Sequence, residues 1–289
     1  LWLGAIAQRL SALDPAHAAT YAANAAAAQT QIAALDSDLA SQLASLTTTQ
    51  TAGLSTDIVA SLNTNAIGSL TTAQIAALTT DQAANLTTTT VKALTTKQIA
   101  VLENEDLAVL TSENVAALTS VQLQALTTSQ IAGLSSQQVF DLNATTLQAL
   151  TTRQVAALET RDVATMSTVS LSNLLSTQLQ SLTTAQIAAL TTAQAAALST
   201  AQIVAFSSVQ IQALELEDLA ALTVAQIKAI QTVDLAALST AQVSALTTEQ
   251  VEALTVQQVA NLTTAQVAAL TTDQVAVLEG VDLAVLTTA

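Results

Sequence analysis

From Leu46 onward a large apolar residue returns at every eighth position, through Leu54, Leu62 and Leu70 to Leu278 and Leu286, without one insertion or deletion. Across these thirty octads only Met166, Phe206 and Ile230 replace leucine, and each is itself large and apolar. A second apolar residue follows five positions after the first, as at Ile75, Ile99, Val115, Ile131, Val155, Ile187 and Val267. Few architectures satisfy both anchors. In one continuous helix eight residues turn roughly 800°, so the apolar stripe would drift about 80° per repeat. In a strand, anchors five apart lie on opposite faces. A β-solenoid is kept as the alternative, although the chain has little of the Asn-Gly or Pro punctuation that strand turns use.

The octad LTTAQIAA at residues 182–189 supplies a third solution. Its second residue is usually Thr or Ser and its fifth is usually Gln, the spacing of a helix-starting capping box. The Leu then precedes the cap and the Ile follows it by four, the two positions of a hydrophobic staple. Thr183 is therefore predicted to cap, Gln186 to reach back to its backbone and Leu182 to pack on Ile187. After little more than one turn, Thr191 caps the next helix.

Such a helix does not stand alone, because nucleation is costly and two buried side chains do not offset the backbone entropy of eight residues. The octads must stack. The expectation is an all-α solenoid of very short capped helices, with a Leu/Ile/Val core, Ala where segments approach, and Thr and Gln at the turns. Composition agrees, since 289 residues contain only two Phe, one Trp and one Tyr, too few aromatics to fill a thick core. A disordered low-complexity tract conflicts with the unbroken aliphatic phase.

Residues 1–45 do not follow the octad and are read as an N-terminal helical cap segment, ahead of an octad solenoid over 46–289. Asp14 is a candidate cap, Pro15 suits the first helical position, and a long Ala-rich helix over residues 16–45 follows. Trp2 and Tyr21 are expected to pack over an end of the solenoid. At the other end LTTA stops mid-octad at Ala289, so the solenoid is expected to continue or to meet another copy. The start LWLGAIAQRL, without Met and soon interrupted by Arg9, is too short for a full signal peptide and reads as a fragment or processed product.

The stretch ALDPAHAATYAANAAAAQTQIAALDSDL is similar to the linking helix of periplasmic zinc or manganese solute-binding proteins of ABC transporters, where LDP followed by A-x-Y-x-x-N-A recurs. The resemblance covers about residues 1–45 and implies exported bacterial ancestry and a helical cap. That family holds its metal with histidines and carboxylates from two α/β lobes. Neither lobe is visible here, so no ligand carries over, and a metal-binding relative is only a distant reading of function. The octads resemble LTTAQ-type segments of large bacterial surface or secreted proteins.

A formal charge of −15 with six Lys and Arg argues against nucleic acid and against an anionic membrane surface. There is no cysteine, which removes disulfide and thiolate chemistry. Between Val163 and Leu214 no charge occurs, yet Ser, Thr, Gln or Asn interrupts too often for a membrane span. His17, the only histidine, lies beside Asp14 and reads as a solvated helix-face residue. The many Ser and Thr lack a positioned base, and no phosphate loop, HExxH or EF-hand motif occurs, so no catalytic or cofactor residue is assigned.

One irregularity recurs. Four octads place Glu at the cap, at Glu103, Glu159, Glu215 and Glu279, and each places Asp three residues later, at Asp106, Asp162, Asp218 and Asp282. The preferred reading is one variant octad copied by duplication, its acids favoured at helix N-termini. The alternative is a recurrent Ca²⁺ site, for which two carboxylates fall short of six to eight oxygens. The functional expectation is a non-enzymatic spacer, stalk or scaffold segment of a bacterial protein that is secreted or held at the cell surface or periplasm. The second reading is a binding module for protein, ligand or ice that uses a regular Thr-bearing face.

Overall fold

The computed structural model describes residues 2–286. Among them the chain is all-α, and the octad tract is a succession of short helices, from four residues in Thr72–Ile75 to seven in Gly280–Leu286. No strand forms among the described residues, so the β-solenoid alternative is set aside.

Each helix begins as the capping box requires. Thr183 is extended, with φ −72° and ψ 160°, and its hydroxyl accepts the Gln186 N–H at 3.2 Å. The Gln186 side-chain oxygen in turn accepts the Thr183 N–H at 2.8 Å. The helix Thr184–Ala188 then closes when the Leu190 N–H bonds the Ile187 carbonyl at 3.1 Å. The following helix, Thr192–Ala197, leaves through Leu198 at φ −62° and ψ 139°. An extended Leu and an extended cap residue thus turn the chain between helices. No described residue has positive φ, so the helix ends need no left-handed glycine, and even the C-cap glycines Gly53 and Gly133 are right-handed.

Neighbours three octads apart pack together. The chain forms two compact units, divided between Leu110 and Thr111. In the first, Thr64–Ser69 packs on Thr88–Ala93, and Thr80–Ala84 on Asn104–Val109. In the second, Thr192–Ala197 packs on Leu216–Ala221, and Ser208–Gln212 on Thr232–Ala237. One turn of each unit therefore takes three octads. The two anchors fill the interior: Ile187 is fully buried and Leu190 is 4% exposed, a pattern that repeats from Leu62 to Leu262.

The first unit also contains α1 (Trp2–Leu13), a 3-10 turn (Pro15–His17) and α2 (Ala18–Ala44). The sequence predicts one long helix here; the structure adds α1, which packs along α2. Asp14 is not a side-chain cap, because its carboxylate is bound to His17 Nδ1 at 2.7 Å and to the Tyr21 hydroxyl at 3.0 Å. Trp2 does not cover an end of the solenoid either. At the start of α1 it lines an open cleft with Ile32, Asn63 and Thr64 and stays 75% exposed, while α1 meets α2 through small residues such as Ala7.

The covering is done by the end of α2, through Ala40 and Leu43. Ser69 Oγ donates to the Ala40 carbonyl at 3.0 Å, and Asn65 Nδ2 to Asp36 Oδ2 at 3.1 Å. What the sequence suggested about Ala289 lies outside the described residues.

Candidate functional site: inter-turn clasps and acidic octads

The sequence places Gln at the turns, but the structure buries it. Gln186 is 1% exposed, and while its oxygen serves the capping box its Nε2 reaches the preceding turn. There it donates to the carbonyls of Val155 at 3.0 Å and Leu158 at 2.7 Å. The same pair of bonds runs from Gln154 to Leu123 and Leu126, from Gln194 to Val163 and Met166, and from Gln266 to Leu235 and Leu238. In the first unit Gln98 clasps Ile67 and Leu70, and Gln74 clasps Leu43 and Leu46, so the end of α2 stands in for a turn.

A helix of one turn leaves most of its terminal N–H and C=O groups without intrahelical partners. One Gln satisfies both kinds, an N–H in its own octad and carbonyls in the octads below.

The acidic octads break this clasp. Asp106, Asp162, Asp218 and Asp282 occupy the Gln position and are buried, whereas Glu103, Glu159, Glu215 and Glu279 at the caps are exposed. The four Glu/Asp pairs therefore do not converge as two surface carboxylates. None of these Glu caps makes a side-chain capping bond in Asn104–Val109, Thr160–Thr165 or Leu216–Ala221. A fifth Asp, Asp234, follows Gln231 at the cap.

A carboxylate accepts and does not donate, so the direction of the inter-turn bond reverses. Ser136 Oγ donates to Asp162 Oδ1 at 2.6 Å, Ser208 Oγ to Asp234 Oδ1 at 2.6 Å, and the Thr80 hydroxyl to Asp106. In the Asp234 octad the missing amide returns from the cap, where Gln231 Nε2 donates to the Val204 carbonyl at 3.1 Å. In the Asp162 octad Arg161 Nε lies 2.7 Å from Glu159 Oε2 and 3.5 Å from Asp162 Oδ1.

A buried carboxylate is costly unless its oxygens are paired. Asp106 Oδ2 and Asp162 Oδ2 are buried without a hydrogen-bond partner. Burial pushes the Asp106 carboxyl up, helped by Glu103 and Glu105 and opposed by Thr80. Burial likewise raises Asp162 against the opposing pull of Ser136 and Arg161. Asp218 is pushed up to about 6, by burial first and then by Glu215 and Glu217. Among the described residues no three His, Cys, Asp or Glu side chains stand as a group that could hold a metal ion. His17 stays exposed on Asp14, away from these octads. No described helix is long and apolar enough to cross a membrane.

A family model for the ALTTAQ repeat matches residues 57–88, 99–136, 155–192 and 227–264, just over half of the chain. The chain belongs to the ALTTAQ-repeat family. The matches lie in the octad tract, as its likeness to LTTAQ-type segments led one to expect, and none falls on residues 1–45. A comparison with curated proteins found no match.

The ALTTAQ signature now reads physically. Its Leu is the first buried anchor, its first Thr the cap, its second Thr and following Ala the outward first turn, and its Gln the double clasp. The second duty of the Gln escaped the sequence reading, although a signal was present. A capping box accepts Glu as well as Gln, yet in this ALTTAQ tract the position is Gln in most octads and never Glu. Only an amide both accepts within its own octad and donates to the one below.

Proposed function

We propose that this ALTTAQ tract is a non-enzymatic spacer or scaffold segment of an exported bacterial protein. The observation that carries this reading is the clasp itself. Most octads bury two apolar anchors and commit a buried Gln side chain to holding the preceding turn, so the chemistry serves extension by repetition. The exposed positions are mainly Thr, Ser and Ala, which suits a solvated surface with few charges.

The test is a length series in which blocks of three octads, such as residues 182–205, are removed or duplicated. A spacer keeps its helix content per residue while the largest dimension, measured by small-angle X-ray scattering, changes by a constant step per block. A dimension indifferent to block number overturns the reading.

A second reading rests on one observation. The cap Thr hydroxyls are engaged by backbone, as in Thr183, but the next Thr, such as Thr184, is exposed and outside the capping box. A binding face for protein, ligand or ice would use these residues. Replacing several of them with Ala, with the caps left intact, would abolish binding by such a face and leave a spacer unaffected.

A further inference from the structure

The hairpin of α1 and α2 leaves one side uncovered. At about 100° per residue Trp2, Ile6, Leu10 and Leu13 fall on one stripe of α1, roughly 80° wide. Ile32, Leu35 and Leu39 fall on one stripe of α2, roughly 60° wide. All of these side chains are exposed, from 37% at Ile6 to 76% at Leu13. The stripes are not spent on each other, because α1 meets α2 through Gly4, which lies against the Gln29 amide, and through the buried Ala7.

Both stripes share one side of the hairpin. Ile6 and Leu10 line a groove with Tyr21 and Asn24, which stand on the same face of α2 as Leu35 and Leu39. Trp2 lines the cleft that holds Ile32, so the stripes meet there. At these exposures they leave on the order of 700 Å² open, beyond the roughly 300–600 Å² of a monomer's ordinary largest patch and close to the roughly 800 Å² each partner gives a standard interface.

Charges at the rim select the occupant. Arg9 borders the α1 stripe on its outer edge and, among the described residues, has no charged partner. Asp38 borders the α2 stripe on the opposite edge, where it is exposed and Gln42 Nε2 donates to its Oδ2 at 2.8 Å. Ser11 Oγ reaches the Ala18 carbonyl and Gly4 lies against Gln29, which places Trp2 level with about residue 30 of α2 and Arg9 with about residue 22. Arg9 and Asp38 therefore lie roughly 10 Å on either side of Trp2 along the hairpin. Such a patch is complementary to itself. A two-fold axis beside Trp2, in the plane of the face and at right angles to the line from Arg9 to Asp38, sets each Arg9 against the partner's Asp38.

We propose that this face docks on the same face of a second copy of the chain, with Trp2 at the centre and Arg9 of each copy on Asp38 of the other. Bound in this way, the face buries an aromatic anchor inside a charged rim, the arrangement of a stable interface. An anionic lipid surface does not fit, since Arg9 is the one Lys or Arg in residues 1–45.

Sedimentation equilibrium of the full chain tests this, at concentrations up to roughly 100 µM, above the micromolar limit at which interfaces of this size hold. The wild-type chain sediments as a dimer. Ile32→Lys with Leu35→Lys, both at exposed positions, keeps the circular dichroism spectrum and leaves the chain monomeric. Arg9→Glu and Asp38→Arg each weaken the dimer about tenfold, by opposing like charges at both symmetric contacts, and together they restore it. A monomeric wild type overturns the proposal, including one that binds phosphatidylcholine vesicles through this face instead. So does a dimer that survives the double Lys variant, or a charge exchange that fails to restore association.

Discussion

Octads 182–189 and 158–165 share the same anchors and the same phase, and they differ in how a buried polar side chain meets the turn below. Gln186 gives two hydrogen bonds downward and accepts one within its octad. Asp162 accepts one hydroxyl from below and leaves an oxygen unpaired. The first arrangement closes every group it touches, while the second retains an electrostatic penalty that Arg161 partly offsets. Phase therefore specifies the fold, and the N3 residue sets how firmly each turn is held.

The sharpest way to break this comparison is to alter phase alone. Deleting residues 182–185 moves polar residues onto buried anchor positions, at roughly 1.5–3 kcal/mol for each aliphatic side chain displaced. Deleting the whole octad 182–189 keeps the phase, gives Gln194, Gln202 and Gln210 other equivalent partners, and leaves the clasps from Gln226 onward unchanged. The four-residue deletion should lose helical signal and several kcal/mol in urea titration followed by circular dichroism, while the octad deletion stays close to the parent. Equal losses would show that phase does not govern the stack.

A smaller effect isolates the clasp. Gln186→Leu keeps the volume but leaves the Leu158 carbonyl and the Thr183 N–H unsatisfied, a cost of about 2–4 kcal/mol. The matching change in an acidic octad runs the other way. Glu215→Thr with Asp218→Gln installs cap and clasp together and should add about 1–2 kcal/mol at pH 7.5.

That double variant also removes a pH dependence. The Asp218 carboxyl is pushed up to about 6 in the folded chain, against an ordinary value near 4 when unfolded. Between those values the folded state holds more protons, so wild-type stability falls as pH rises from about 4 through 6 and then levels. The difference between wild type and variant should grow across that window and be constant above it. A variant with the same pH slope as wild type would remove Asp218 from the account. The smallest effect is at the cap, where Thr183→Ala should cost about 1 kcal/mol and Thr184→Ala almost nothing.

What was legible in the sequence was local. The capping box joins Thr183 to Gln186 and the staple joins Leu182 to Ile187, all within one octad, so a single repeat states them. The number of octads per turn was not legible, because each octad meets others of the same sequence whether the partner lies two, three or four repeats away. Gln186 was read for its oxygen alone, because its amide partners Val155 and Leu158 belong to that hidden neighbour. The Glu/Asp octads were recognised as a coupled change, but the burial of Asp106 and Asp162 beneath exposed Glu was not, since both are acids on one short helix. Trp2 misled because aromatic character signals packing in general, whereas α1 meets α2 through alanine.

The clasps have a mechanical consequence. Each Gln amide holds only the turn beneath it, through carbonyls 31 and 28 residues earlier in the chain. Under tension applied to the two chain ends, such a stack has no single keystone whose failure releases the whole. Turns would separate in succession, each freeing three octads that extend to roughly 80 Å of chain at full stretch. Because every lost partner waits only about one turn away along the sequence, relaxation should reseat the clasps quickly. The chain would then yield in many small, recoverable steps, absorbing load as an elastic tether.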